Sequence, residues 1–387
     1  MTSSDLPSII TSIISEKGKI TFREFMEMAL YDPLHGYYMS PHKKIGKAGD
    51  FYTSPDVHKV FGTVIMKQLV EMRDLLSADI IFHVIEGGAG KGSMCCQILD
   101  AAREREREFY ETLHYHIVEK SDALAEVQKE GIRGGGHEGK VSWHKDMASL
   151  LDKVNTAAVI SNELIDAFPI HRVIFDGGKW EEIYVRAEDD NFSEVRGPLS
   201  ANDLDRYLSL LEGPFNEGYK TEINLDGPRW INSIAKNLKK GFILTIDYGY
   251  PRPDYYSPLR REGTLLCYYQ HTTSDNPYIR VGKQDITAHV DFSSLAEAGR
   301  EEGLEVTGFC EQFHFLMGLG VFDEFQATGE EAPFNTESFQ ENMAIKRLLM
   351  PDAMGGTFKI LIQHKGIEKP ALKAFSFKDL SHRLKRQ

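Results

Sequence analysis

The chain lacks any apolar run of about 18 residues, the length a helix needs to cross a bilayer, so no transmembrane helix is expected in its 387 residues. Cysteine is scarce. Cys95, Cys96, Cys267 and Cys310 show neither C-x-x-C nor paired Cys/His spacing, which argues against a disulfide framework and against a zinc site. Basic charge is short too: 45 Lys and Arg stand against 58 Asp and Glu, a formal charge of −13. That balance argues against a broad grip on nucleic acid, whose phosphates must be neutralised by cations. It suits a basic substrate, although solubility is the plainer explanation of net charge. Met1 to Glu16 carry no Lys or Arg and read as a capped amphipathic helix rather than a signal or transit peptide, so a reducing, cytoplasmic setting is expected. No internal repeat or low-complexity segment stands out. With 41% hydrophobic and 27% charged residues the composition is globular, enough for two domains or one enlarged α/β domain.

What is present centres on Ile81 to Gly92, an apolar run that ends in Glu86 and a glycine-rich turn. Ile81, Phe82, Val84 and Ile85 suit a strand covered on both faces, with Glu86 at its carboxyl end, where open α/β sheets bind ligands. Gly87, Gly88, Gly90 and Gly92 let a ligand approach the backbone, and Ser93 to Arg103 can form a helix with an amide-rich start. A dinucleotide enzyme would show G-x-G-x-x-G, which Gly88, Gly90 and Ser93 nearly supply, and spacing alone does not separate the cofactors. The acid before the glycines does. Glu86-Gly87-Gly88-Ala89-Gly90 is similar to the E/D-x-G-x-G turn of Rossmann-like S-adenosylmethionine (SAM) enzymes.

Further apolar runs, each followed by acids or amides, alternate with helical patterns, which predicts a mostly parallel sheet with crossover helices. They are His114–Val118 before Glu119, Val141–Trp143 before Asp146, 157–160 before Asn162 and Glu163, Phe242–Ile246 before Asp247, and 357–363. Glu305 to Phe309 is expected to pair antiparallel with the last. Residues 101–111 read as an exposed, charged extension of the first helix.

Phe25 to Tyr38, Gly49-Asp50-Phe51-Tyr52-Thr53-Ser54-Pro55-Asp56, Asn162 to His171, Ile246-Asp247-Tyr248-Gly249, Gly263 to Tyr268 and Asp285 to Phe292 stand in the order of the MidA family of SAM-dependent methyltransferases, which the chain resembles from about Ile20 to about Gln363. Two departures are Gly87, where the family more often has Leu, and Asp56, where Glu is usual. The resemblance implies an α/β fold of the Rossmann-like class I kind, with a seven-stranded, mostly parallel sheet, helices on both faces, an N-terminal helical lid and insertions. The expected organisation is a lid segment over 1–78, a core over 79–175, 230–317 and 350–365, acceptor-side insertions over 176–229 and 318–349, and a basic tail over 366–387. The resemblance further implies SAM as cofactor, no metal, and methylation of arginine in a protein partner such as a respiratory complex I subunit. Another acceptor, or a catalytically silent assembly chaperone on the same fold, stays open, as does oligomeric state.

Residue roles follow. Gly88 and Gly90 would approach the methionine part of the cofactor, Glu86 would orient the loop, and Glu119 would accept the ribose hydroxyls or else cap a helix. Asp146 and Met147 would edge the adenine. Gly49, Asp50 and Thr53 resemble a lid over the cofactor, and Asn162 closes the set. Glu163 and Asp166 are the catalytic candidates, because paired carboxylates can hold and polarise a guanidinium. Their offset of three predicts one shared turn, with Asn162 and Asp166 able to cap a following helix. His289, beside Asp291, would relay a proton or act as a structural hub. Asp247, Tyr248 and Gly249 would shape the pocket.

Overall fold

A computed structural model describes residues 5–40, 50, 53–76, 81–188, 191–325, 337–352 and 354–385. The chain forms two compact units: a core unit of residues 52–164, 231–249 and 295–387, and a second unit of 1–51, 165–230 and 250–294.

Seven strands of the core unit lie side by side: β1 (Phe82–Gly87), β2 (Leu113–Val118), β3 (Val141–His144), β4 (Thr156–Asn162), β5 (Lys240–Tyr250), β6 (Glu305–Glu311) and β7 (Phe358–Lys365). Their order is β6-β7-β5-β4-β1-β2-β3. Six run the same way; β7 is antiparallel to both its neighbours, β5 and β6. The alternating apolar runs predict a mostly parallel sheet, and the one observed is mixed only through β7. From β1 the chain winds outward to β3 and then returns to β4 on the other side of β1. The carboxyl ends of β1 and β4 therefore form a topological switch point, the place where such sheets bind ligands. There Gly87 pairs with Ser161.

Val84 and Ile85 are fully buried, as a two-sided strand requires, whereas Ile81 precedes the strand and is 59% exposed. Helices α1 (Ser54–Val57), α2 (Val60–Leu76), α3 (Ser93–Arg105) and α4 (Asp122–Gly135) follow in chain order. Phe61 and Leu69 of α2 and Ile98 of α3 join Phe82, Val84, Ile117 and Phe358 of the sheet in one apolar core. The charged extension after α3 departs from expectation. The helix stops at Arg105, and a new one, Arg107–Thr112, buries Phe109 and Tyr110. Two aromatic rings outweigh the charges around them. The basic tail is likewise anchored, with Leu372, Ala374 and Leu384 buried.

The second unit is built on β-structure. Ile20–Thr21, Lys179–Glu188, His171–Asp176 and Tyr219–Ile223 line up in that order, and Asn191–Gly197 pairs with Lys179–Glu188. Three strands thus fall within 176–229, with a helix at Asn202–Leu208 and the start of another at Asp226, and 165–175 and 250–294 belong to this unit instead of the core assigned to them from sequence. The reason is local. The acids at Glu181 and Glu182 interrupt the alternation that would have marked a strand. At the amino terminus, the Phe22–Tyr31 helix starts with a capping box between Thr21 and Glu24.

One face of β1, β2 and β3 carries four imidazoles. His83 Nδ1 lies 2.9 Å from His116 Nε2, His116 Nδ1 lies 3.1 Å from His144 Nε2, and Ser142 Oγ lies 2.9 Å from His116 Nδ1. His114 stacks on His116 at 4.6 Å. Burial, and then neighbouring imidazoles, hold His116 down at about 3; burial lowers His83, His114 and His144 as well. As pH falls below 6.5 the unfolded chain takes protons that the folded rings refuse, so stability present above 6.5 is lost on acidification. Urea unfolding from pH 7 to 4 should show this loss, and His116→Gln should flatten its slope. Parallel slopes in parent and variant would mean that other groups drive acid unfolding.

Candidate active site

The glycine turn begins where β1 ends. Gly88, Gly90 and Gly92 have φ of 67°, 54° and 84°, the left-handed region where a Cβ is strained. At Gly88 an added Cβ would also come within 2.6 Å of Leu164 Cδ1, from the turn after β4. Glycine there lets the two strand ends close on one another. Glu86 is 3% exposed and accepts a 2.7 Å bond from Tyr115 Oη. Burial pushes its carboxyl up to about 7, partly offset by the Tyr115 bond and reinforced by Glu119.

Glu119 follows β2 and is buried, which raises its pKa against the pull of its donors. One carboxylate oxygen accepts the Ser121 amide at 2.8 Å and the other accepts Gln128 Nε2 at 3.1 Å. Ser121 is the N-cap of α4, so Glu119 does support a helix start. Each oxygen nevertheless keeps acceptor capacity for a hydroxyl. Gln128 is a residue that sequence reasoning missed. The same Nε2 donates to the Gly90 carbonyl at 2.8 Å, and Trp143 Nε1 donates to Gln128 Oε1 at 3.1 Å. An amide on α4 thereby ties the acid to the glycine loop. A turn of three left-handed glycines beside an acid with spare acceptor capacity fits an adenosyl amino-acid cofactor. Asp146 caps the Met147–Leu151 helix by accepting the Ser149 amide at 2.7 Å, and it is exposed; Met147 is buried.

Glu163 stands at the carboxyl end of β4, with φ of 52°, a left-handed conformation uncommon for a side chain of this size. Its amide is bonded to the Ile246 carbonyl at 3.0 Å, which holds the turn against β5. The carboxylate accepts the Ser54 amide at 3.1 Å, Asn162 Nδ2 at 3.0 Å and Tyr248 Oη at 3.3 Å. Burial dominates these donors and pushes the carboxyl up to about 8, with Asp247 nearby adding to the rise. Tyr248, packed on Phe358 at 4.1 Å, is therefore a direct partner of the acid and not only a wall.

The expected helical turn shared by Glu163 and Asp166 is absent. Residues 163–168 form bends and a turn, with the Phe168 amide bonded to the Ile165 carbonyl, so neither Asn162 nor Asp166 caps a helix. The left-handed Glu163 breaks the helical path before it starts. Asp166 lies in the second unit, 4% exposed, with its carbonyl accepting the Ala288 amide at 3.0 Å. In the same unit Tyr38 Oη donates to Asp285 at 2.9 Å, and burial together with Asp285 raises that phenol well above its ordinary pKa. Asp50 accepts Tyr37 Oη and the Gln270 amide, each at 2.7 Å. Thr53 Oγ1 donates to Asp56 at 2.8 Å, and Gly49 lies outside the described residues. His289 packs against Tyr250 at 5.4 Å, and its amide donates to Thr264 Oγ1 at 3.0 Å. Asp291 accepts Tyr207 Oη at 2.6 Å, Arg252 Nε at 3.0 Å and the Ser293 amide at 2.9 Å.

Comparison with known proteins places the fold among methyltransferases. Residues 64–310 match the family model Methyltransf_28, that of S-adenosyl-L-methionine-dependent methyltransferases. The chain is 25% identical over 381 residues to the mitochondrial protein arginine methyltransferase NDUFAF7 homolog of Drosophila melanogaster, covering 92% of this chain and 83% of that protein. The human NDUFAF7 protein is 23% identical, with 92% and 82% covered. A COG1565 superfamily member from Burkholderia thailandensis, bound to S-adenosyl-homocysteine, superimposes with a TM-score of 0.88 at 29% identity, covering 97% and 96% of the two chains.

Proposed function

Because the chain belongs to the S-adenosyl-L-methionine-dependent methyltransferase family whose model spans its residues 64–310, we propose that it methylates an arginine side chain of a protein partner. The observation that carries the reading is Glu163: a partly buried carboxyl at the switch point that accepts three donors, on a left-handed backbone pinned by its amide bond to the Ile246 carbonyl. Strain of this kind persists where function keeps it. A guanidinium placed against that carboxyl would favour its ionised form and donate to Oε2, since Oε1 already accepts the Ser54 amide and Asn162 Nδ2. The fly, rat and human relatives carry the name protein arginine methyltransferase, which supports the same acceptor.

When bound, S-adenosylmethionine supplies a methyl group on a sulfonium sulfur, open to in-line displacement. Transfer forms an N–CH3 bond, breaks the S–CH3 bond and leaves one proton to be removed from nitrogen. Glu163 would orient that nitrogen, and a carboxyl pushed up to about 8 is a better proton acceptor than an ordinary carboxylate. Glu119 and the glycine turn would hold the cofactor, in the manner of a Rossmann-like class I site. A respiratory complex I subunit as partner belongs to this proposal and comes from the family resemblance.

The test is to incubate the purified chain with methyl-labelled SAM and respiratory-chain subunits, then to locate the label by mass spectrometry. Label on arginine is the expected result. Label confined to lysine or to small molecules would overturn the acceptor while leaving the cofactor in place. No label anywhere, with a partner still bound, would favour the chaperone reading.

A further inference from the structure

Asp56 stands in α1, a helix of one turn, and its side chain is only 4% exposed. Its Oδ1 meets Lys91 Nζ at 2.6 Å and accepts Ser93 Oγ at 3.2 Å; its Oδ2 accepts Thr53 Oγ1 at 2.8 Å. Lys91 is the residue between Gly90 and Gly92, and Ser93 opens α3. The carboxylate therefore grips the glycine turn at two points, on either side of Gly92. Two residues earlier on the same turn, the Ser54 amide donates to Glu163 Oε1 at 3.1 Å.

The remaining groups of α1 fix its place. Ser54 Oγ donates to Gln312 Oε1 at 3.2 Å, and Gln312 Nε2 donates in turn to the Leu348 carbonyl at 3.1 Å. Gln97 of α3 donates to the Pro55 carbonyl at 2.6 Å. Ser54 and Pro55 are buried. These contacts tie the turn to Gln312 and α3, and the Asp56 carboxylate ties the same turn to the glycine loop. What the carboxylate adds is a charged bond to the one cation of the glycine turn. A buried acid paired with a half-exposed lysine holds geometry better than it adds stability, because desolvation of the pair cancels much of its attraction.

We propose that Asp56 is a positioning residue: through Lys91 and Ser93 it sets the glycine turn, and through the Ser54 amide it holds the Glu163 carboxylate in register with that turn. The proposal takes the family's cofactor as given and rests on Glu163 as the acceptor carboxylate. It makes α1 a strap that joins the cofactor loop to the acid, so that disturbance at one is felt at the other. Four residues of chain do this because the carboxyl ends of β1 and β4 are adjacent in the sheet.

Two readouts test it without any acceptor. Calorimetric titration with S-adenosylmethionine should show binding weakened about tenfold in Asp56→Asn, as expected for a displaced cradle, and restored to within about threefold in Asp56→Glu. Asp56→Asn combined with Lys91→Met should bind no more weakly than the worse single variant, since the two act through one contact. Carboxyl NMR of protein carrying labelled glutamate, with the Glu163 signal assigned from its loss in Glu163→Gln, should titrate about half to one unit higher in Asp56→Asn. Loosening the strap weakens a hydrogen bond to the ionised form. An unchanged Glu163 titration with unchanged SAM affinity would overturn the proposal, and so would additive losses in the double variant. If Asp56→Asn folds poorly, Lys91→Met alone breaks the same contact and should weaken S-adenosylmethionine binding, and unchanged affinity there would overturn the proposal. Failure of the arginine reading would show separately, as label on another acceptor with these effects of Asp56 intact.

Discussion

Glu163→Gln should bind S-adenosylmethionine within about threefold of the parent while losing kcat/KM for the protein acceptor by roughly thirty- to several-thousand-fold, the range expected when one partner of a desolvated charge pair is removed, about 2–5 kcal/mol. The glutamine oxygen can still accept the Ser54 amide, so the turn keeps its anchor. What disappears is the charge that meets the guanidinium and the base that takes its proton. The same variant should be more stable than the parent above neutral pH. In the folded chain Glu163 is pushed up to about 8, from an ordinary value near 4.5. As pH rises through that window the unfolded chain ionises and the folded one resists, so the parent loses stability that the amide variant keeps. A melting temperature higher by about 2–4 °C at pH 8, with the difference closing near pH 4, is the expected pattern. Equal loss of activity and stability would instead make Glu163 a structural residue.

The parent should also show an acidic limb in kcat/KM that reports the same group, with activity rising as pH approaches 8. A limb that is absent in assays of the free enzyme would place the ionisation that matters elsewhere. Asp247, fully buried beside Tyr248 and adding to the rise in Glu163, is the alternative carboxyl in the core unit.

The strand ends of the core were legible from apolar runs followed by acids, because burial on both faces leaves a continuous hydrophobic signature. Glu86 and Glu163 stand at such ends, and Glu119 follows another. The second unit was less legible, since Lys179–Glu188 alternates imperfectly and its small sheet recruits Ile20–Thr21 from far along the chain. A two-residue strand has no pattern of its own. The Glu163 turn was misread for a different reason: spacing of three reads as helix by default, and nothing in Asn162-Glu163-Leu164-Ile165-Asp166 marks a left-handed glutamate. Gln128 was invisible because a lone glutamine on an amphipathic helix carries no functional signal. Its full burial is what reveals it, since an amide that deep must be bonded on both ends.

Cofactor affinity is where the second large effect is expected. Saturable binding of S-adenosylmethionine by the parent, with no binding of NAD, should be lost in Gly90→Val and weakened roughly tenfold to a hundredfold in Glu119→Ala. For Gly90 the argument is conformational: at φ of 54° a β-branched residue is strained by about 1–2 kcal/mol or more, and the loop must move to relieve it. The Gln128 bond to the Gly90 carbonyl would be drawn out of place with it. For Glu119 the argument is the acceptor count. Hydrogen bonds to a charged group contribute about 1.5–3 kcal/mol each, and alanine removes the group that would receive the ribose hydroxyls together with the anchor for Gln128. Gln128→Ala separates these two contributions, since it frees the glycine loop but leaves the carboxylate. A loss in Glu119→Ala well beyond that of Gln128→Ala assigns the excess to the ribose. Equal losses would reduce Glu119 to a brace for the loop, with the hydroxyls held by another group.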